Sequence, residues 1–337
     1  MKRPQNREEY RKELAEAFAA VLEEKGLSWR KDWQGKGGTA PRNGVTKAPY
    51  RGTNAFLLSL TAVERGYPDP RWVTMVQIMD KKGLYHPKEK WHLRAGSRAT
   101  YVEYWYPFDL REKKAMTWEG YKEALKAGRK EADFFFHTRY TAVFNASEVD
   151  GIPELPPGLA EEEKMDELVW KLSDGMGVPI LFDGGDAACY SPWRDQIHLP
   201  SPESFENEYA FNAAALHELA HATGHPARLC RPQASAFGTE LYAYEELVAE
   251  MSACFMSFGL KAEPDERHLA NHRAYVRSWI GAVREKPDTL IRAIRDAQAA
   301  AGYMDWKAGF LSDREYEEEK ARTFETRVPG RERALSR

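Results

Sequence analysis

Residues 217–221 read His-Glu-Leu-Ala-His, and few pentapeptides constrain a chain as tightly. Residues four apart share one face of a helix, so on a helix His217 and His221 can point two neutral nitrogens at one ion. Glu218 then stands beside that ion without binding it, placed as the catalytic base that takes a proton from metal-bound water. Ala213, Ala214, Ala215, Leu216, Leu219 and Ala220 surround the motif with apolar side chains and good helix formers. A helix so apolar is buried, and buried imidazoles need partners, of which a metal is one. A surface helix carrying two unrelated histidines is the other reading, and this context argues against it. Gly224 is placed to end the helix as a left-handed cap, and Pro226 prevents its continuation. His225 lies beyond the helix and faces elsewhere.

A hydrolytic zinc site needs a third protein ligand and one position left for water. Residues 239–259 supply candidates: Leu247, Met251, Cys254, Phe255 and Phe258 make an apolar stripe at helical spacing, and Gly259 stops it. Glu246 and Glu250, four apart, share a face of that helix. Glu246 is the favoured metal ligand, with Glu250 receiving a ring N–H of a ligating histidine; the choice between them stays open. Glu245 points about a hundred degrees away and is expected to be solvated. Zn2+ suits such a site, although His₂Glu accepts other divalent ions.

The net charge of −3 hides a division. Residues 1–130 hold 27 Lys and Arg against 16 Asp and Glu, a net of +11, and the remainder carries −14. Six of the ten tryptophans lie in the basic part: Trp29, Trp33, Trp72, Trp91, Trp105 and Trp118. Each alone is well explained by core packing. As a set, interleaved with cations as in Trp29-Arg30-Lys31 and Arg71-Trp72, they suit single-stranded nucleic acid, whose bases stack on rings while cations track phosphates. The favoured contacts are Trp29, Trp33, Arg42, Lys47, Tyr50, Arg51, Asn54, Arg71, Trp72 and Arg94. Residues 34–53 are rich in Gly, Pro and cations and read as a long loop without Walker spacing, so they do not indicate triphosphate binding.

Helical spacing predicts helices over 7–26, from Asn54 through Val63, from Arg71–Thr74 to near Gly83, and over 160–176, 239–259, 268–284 and 287–301. Strands are expected at 98–108, 136–144, 178–182, 187–191 and 195–199. Residues 111–134 are a surface helix or a mobile insertion, and 312–337 a frayed, charged tail. The Pro/Gly cluster at 150–158 divides an α+β nucleic-acid-binding domain, 1–150, from an α+β metallopeptidase-like domain, 151–311. Three widely spaced cysteines (Cys189, Cys230, Cys254), a charged N-terminus and no long apolar run point to a cytoplasmic protein without a membrane partner.

These segments resemble the ArdC-type antirestriction proteins of conjugative plasmids, which are related to the N-terminal part of plasmid TraC primases. Pro41-Arg42-Asn43, Tyr50–Asn54, Arg71–Thr74 and Arg94–Ser97 carry the likeness in the first half. In the second half Ala188–Pro192, His217–His225, Phe237-Gly238 and Glu245–Glu250 carry it. The stretch His86–His92, with Trp91, is longer than the family's usual connection. The resemblance implies a single-stranded-DNA-binding domain, a zincin-like domain, and protection of incoming plasmid DNA from host restriction. A peptide substrate of unknown identity is the enzymatic reading. A protector whose metal only stabilises the fold is the alternative, and a two-metal nuclease fits one His₂Glu site less well.

Overall fold

The computed structural model describes residues 3–26, 40–86, 89–155, 165–183, 185, 187–233, 239–256 and 266–325. Helix α1 (Arg7–Lys25) starts where the Asn6 side chain accepts the Glu9 N–H. Its stripe of Tyr10, Leu14, Phe18, Val21 and Leu22 is buried at the expected spacing. A five-stranded sheet follows, built from β1 (Arg42–Asn43), β2 (Arg71–Thr74), β4 (Thr100–Asp109), β5 (Lys114–Ala115) and β6 (Phe134–Asn145) in the order β1-β2-β6-β4-β5. Strand β3 (His92–Leu93) pairs separately with β7 (Val149–Asp150). Helix α2 (Gly52–Arg65) lays Leu58 against Trp72, Val102 and Val143, covering one end of one sheet face. Residues 71–74 form a strand, and the helix expected to run to Gly83 is only α3 (Met75–Met79). The Thr74/Gln77 capping box starts it, and Asp80 ends it in the left-handed region. The charged stretch 111–134 is ordered: a turn, β5, and α4 (Trp118–Lys126), whose Tyr121 packs on Phe134 and Phe136.

The second half holds α5 (Met165–Met176) and a small sheet of β8 (Ile180–Leu181), β9 (Cys189–Ser191) and β10 (Gln196–His198) in the order β8-β10-β9. Then come α6 (Glu208–Ala222), α7 (Glu240–Phe255), α8 (Glu266–Glu285), α9 (Pro287–Lys307) and α10 (Asp313–Glu325). Helix α9 is the hub, touching α1, α2, α5, α6, α7, α8 and α10. Its buried face, Leu290, Ala293, Ile294, Ala297, Ala300 and Ala301, is largely alanine, which lets neighbouring backbones approach closely. Residues 313–325 are not a frayed tail. Tyr316 is buried and stacks on Trp306 with centroids 4.5 Å apart, and Glu319 pairs with Arg51.

The largest apolar core crosses the expected boundary at residue 150. Tyr10, Leu14, Phe18 and Leu22 of α1 and Phe56, Leu57 and Leu60 of α2 join one cluster with Leu247, Val248 and Met251 of α7. Trp279 and Val283 of α8 and Leu290, Ile294 and Ala297 of α9 belong to it as well. A second core, Leu168, Leu172, Ile197, Leu216, Leu219 and Ala220 among others, belongs to the later half alone. No helix among the described residues is long and apolar enough to cross a membrane.

Candidate metal centre

Helix α6 begins at Asn207, whose side chain accepts the Ala210 N–H at 2.9 Å, and carries the His-Glu-Leu-Ala-His motif in its last two turns. Leu216, Leu219 and Ala220 anchor it in the second core. Thr223 closes the helix in right-handed conformation, so Gly224 is not the left-handed cap expected. A Cβ at Gly224 would lie 2.5 Å from the Gln233 side-chain nitrogen, which hydrogen-bonds the His221 carbonyl, so a larger residue there would make the Gln233 side chain shift. His225 faces away, 3.9 Å from Asp195.

Helix α7, capped by Thr239, crosses beside α6. The Nε2 atoms of His217 and His221 come within 3.1 Å of each other. Glu246 closes the triangle, its carboxylate oxygens 3.4 Å from His217 Nε2 and 3.5 Å from His221 Nε2. Metal–nitrogen and metal–oxygen bonds of about 2.0–2.1 Å at tetrahedral angles place donors about 3.3 Å apart, so this triangle fits one small divalent ion. The donor set, two imidazoles and a carboxylate, also fits.

Each imidazole has its own carboxylate behind it. Glu250 Oε1, fully buried, lies 3.4 Å from His217 Nδ1. Glu245 Oε1 lies 3.3 Å from His221 Nδ1. Glu245 is therefore not solvated, as its angle on the helix had suggested. It is buried and held by Arg231, whose Nη2 donates at 2.6 Å and whose Nε donates at 3.0 Å. Arg231 also donates to Thr223 Oγ1 and the Ala220 carbonyl, tying α7 to the end of α6. Because α7 crosses α6 at close quarters, two adjacent faces of α7 meet it, and an isolated-helix projection misses the second. Arg231 and Gln233 carried no motif signal in the sequence.

Burial acts to lower the pKa of both imidazoles, but the carboxylates outweigh it. Glu246 and Glu250 push His217 well up, and Glu245 with Glu246 push His221 up to about 9. Burial likewise opposes ionisation of the carboxylates, yet the imidazoles and Arg231 hold Glu245 down to about 2. The two imidazoles hold Glu246 below the usual carboxylate range. The catalytic candidate Glu218 is buried on α6, and its charge acts on both histidines and, after burial, on the Cys189 thiol of β9. Strand β9 is an edge of its sheet and packs beside α6.

The structure disperses the expected DNA contacts. Trp72 is fully buried in the core beneath α2, so its ring cannot reach a base. Arg71 is also buried and grips Asp69 at 2.7 Å. Asn54 is occupied with strand β4, bonding the Glu103 carbonyl and N–H at 2.7 and 2.8 Å. Arg51 pairs with Glu319, Arg94 with Asp150 at 2.7 Å, and Tyr50 is half-buried against the second-strand cluster. Arg42 and Lys47 lie in and just after β1, with Lys47 exposed. Trp29 and Trp33 fall outside the described residues. Of the other tryptophans in this half, Trp91 is buried and stacks on His86 at 3.8 Å, Trp118 stacks on Phe136, and Trp105 lies beneath Arg7.

A His-Glu-x-x-His helix followed by a glutamate-bearing helix, beside a small sheet, defines a zincin-like metallopeptidase fold. Residues 167–296 match the family model of zincin-like metallopeptidases. Residues 8–144 match that of the N-terminal domain of anti-restriction factor ArdC, and the chain belongs to the ArdC-type proteins. ArdC of plasmid R388, metal-free and Mn(II)-bound, superimposes on it with a TM-score of 0.66 and 26% identity over 90% of this chain, covering 98% and 99% of those structures. DNA primase TraC of Escherichia coli is 32% identical over 88% of this chain, but the chain spans only 27% of that relative's length. Protein y4eC of Sinorhizobium fredii is 29% identical and covered over 93% of its length.

Proposed function

We propose that this chain is an antirestriction protein that binds single-stranded DNA through its basic half and carries a divalent-metal peptidase site in its acidic half. The observation that carries the metal reading is the convergence of His217, His221 and Glu246 within bonding reach of one ion, braced by Glu245 and Glu250. The Mn(II)-bound relative supports a divalent ion, and zinc is the ion we expect here. The net of +11 in residues 1–130 and relatives named as DNA primases support the DNA reading.

His217, His221 and Glu246 would hold the ion, which supplies Lewis acidity toward a carbonyl and toward water. Glu218 accepts the proton from the attacking water and returns it to the leaving amine. The edge strand β9 offers unpaired backbone to an extended peptide beside α6, the mode by which sheets accept an added strand. Glu250 and Glu245 hold the rings in one orientation. The same bracing also suits a purely structural metal, because Arg231, Glu245 and the two histidines fasten α6 to α7.

Native mass spectrometry is expected to find one metal per chain and none after joint His217→Ala and His221→Ala replacement; metal retained by the double variant overturns the site. Glu218→Gln separates the two readings. If protection of transferred DNA from restriction is lost while metal stays bound, hydrolysis is required. If protection persists, the protein protects without cutting.

A further inference from the structure

Strands β4 and β6 form a long two-stranded ribbon whose two faces differ. One face is packed: Trp118 of α4 stacks on Phe136 at 5.5 Å, Tyr121 meets Phe134 and Phe136 edge-on, and Tyr10 of α1 meets Tyr140 at 5.0 Å. The other face is packed only at its first end, where Val102 and Val143 lie under α2. Beyond α2 no described element covers it, with Tyr104, Phe135, His137 and Arg139 exposed and Tyr106 and Phe108 half-buried. Tyr104, Tyr106 and Phe108 on β4 stand opposite Arg139, His137 and Phe135 on β6, three successive cross-strand pairs on one side of the pleat.

This face is unusual in composition. The open side of an antiparallel ribbon is normally polar, yet here four of six side chains are Tyr or Phe. Tyr104 is 56% exposed and Phe135 54%. His137 is exposed and gathers three rings, with Tyr106 stacked on it at 5.8 Å and Phe108 and Phe135 edge-on at 5.1 and 5.0 Å. The only formal charge among the six is Arg139, exposed and without an ion pair among the described residues. Lys113 sits exposed at the ribbon tip, whereas Lys114 stands opposite Asp109 on the packed side and pairs with Glu112 at 3.6 Å.

We propose that this face, Tyr104, Tyr106, Phe108, Phe135, His137 and Arg139, is the base-stacking platform for single-stranded nucleic acid. The proposal rests on the DNA-binding reading above and gives it a location that the buried tryptophans cannot supply. Same-face residues on a strand recur about every 6.8 Å, which leaves room for a base to lie against each successive ring. Exposed rings accept any base by its π-face, and only an unpaired strand presents those faces. Arg139 and Lys113 meet the phosphates, and no carboxylate among the six residues of the face repels them. The charge is what favours nucleic acid over a protein occupant.

The test uses the full chain and a fluorescently labelled oligothymidylate in anisotropy titrations at several salt concentrations. Tyr104→Ala and Phe135→Ala are expected to weaken binding roughly 5- to 100-fold each. Both residues are exposed, so melting temperature should stay unchanged, and Tyr104→Phe should retain affinity. The ring variants should leave the slope of log K against log salt unaltered, whereas Arg139→Gln should reduce it by about one. Normal binding by both alanine variants, with the unaltered chain binding, overturns the platform and leaves the DNA reading standing. No binding by the unaltered chain overturns the DNA reading and the platform with it.

Discussion

Replacing Phe18 by alanine should loosen both halves of the molecule at once. Phe18 is fully buried on α1, edge-on to Phe56 of α2 at 5.1 Å, and Phe56 in turn lies 6.3 Å from Phe255 of α7. Removing a buried phenyl ring leaves a cavity and loses its transfer free energy, together about 3–5 kcal/mol. Its neighbours in that core come from α2, α7, α8 and α9, so the cavity opens between elements of both halves. At about 2.1 cal/mol/K of unfolding entropy per residue, a single cooperative unit of roughly 300 residues shifts by about 1.6 °C per kcal/mol, so the melting temperature should fall by roughly 5–8 °C. Lys12→Ala, on the exposed side of the same helix, should stay within about 0.5 kcal/mol of the unaltered chain. Differential scanning calorimetry, read beside metal release on heating, is the assay. One transition that moves as a whole, with metal release moving alongside it, is the expected result. Two transitions, of which Phe18→Ala shifts only one while metal release keeps its midpoint, would refute the shared core.

Glu245→Gln removes the charge that Arg231 and His221 both face. A broken buried ion pair should cost about 3 kcal/mol, and loss of a group orienting a ligating histidine should weaken metal affinity about 10- to 100-fold. Unchanged affinity in a chelator competition would show that Glu245 orients nothing. The metal-free and metal-loaded chains should respond oppositely to pH. His221 titrates at about 9 when folded, against about 6.5 unfolded, so its stabilisation is full below about 6.5 and fades as pH rises through about 9. The metal-free chain should therefore lose part of its stability between neutral pH and pH ~9. Metal must displace the same protons, so apparent affinity should rise over that window, with proton release visible by calorimetry in buffers of different ionisation enthalpy. Affinity flat across the window would contradict the protonated pair.

The metal centre was legible because its information is local. The spacing of His217 and His221 and of Glu246 and Glu250 is fixed by helical geometry, and the structure brings all four together. Glu245 was missed because its role depends on where α7 crosses α6, which no single-helix projection contains. Arg231 was missed for the same reason, lying in the turn that folds back between those helices. The long strands were visible in 98–108 and 136–144, but not which face would be covered. RATYVEYWYPF carries aromatics at both even and odd positions, so alternation alone could not separate the packed Trp105 from the exposed Tyr104. Of the expected DNA contacts, Trp72 and Arg71 are the two that the fold buries. A tryptophan beside an arginine reads as a stacking site, but Trp72 lies on a strand with α2 across it, and there its ring is core.

The charge boundary near residue 130 and the fold boundary are different things. Charge along the chain describes its surface, and it says nothing about who shares a core. Helix α7 makes the difference concrete. One side of it, Leu247, Val248 and Met251, packs into the cluster that contains α1 from the basic half. The adjoining side carries Glu245, Glu246 and Glu250 against the two histidines. The carboxylates are therefore positioned by a helix whose other flank is set by α1 and α2. A fragment ending at residue 150 would expose Tyr10, Leu14, Phe18 and Phe56 to water, and a fragment beginning at 151 would lose the wall behind its own glutamates. Isolated residues 1–150 are consequently a poor test of DNA binding, and point variants on the ribbon in the intact chain are the better one.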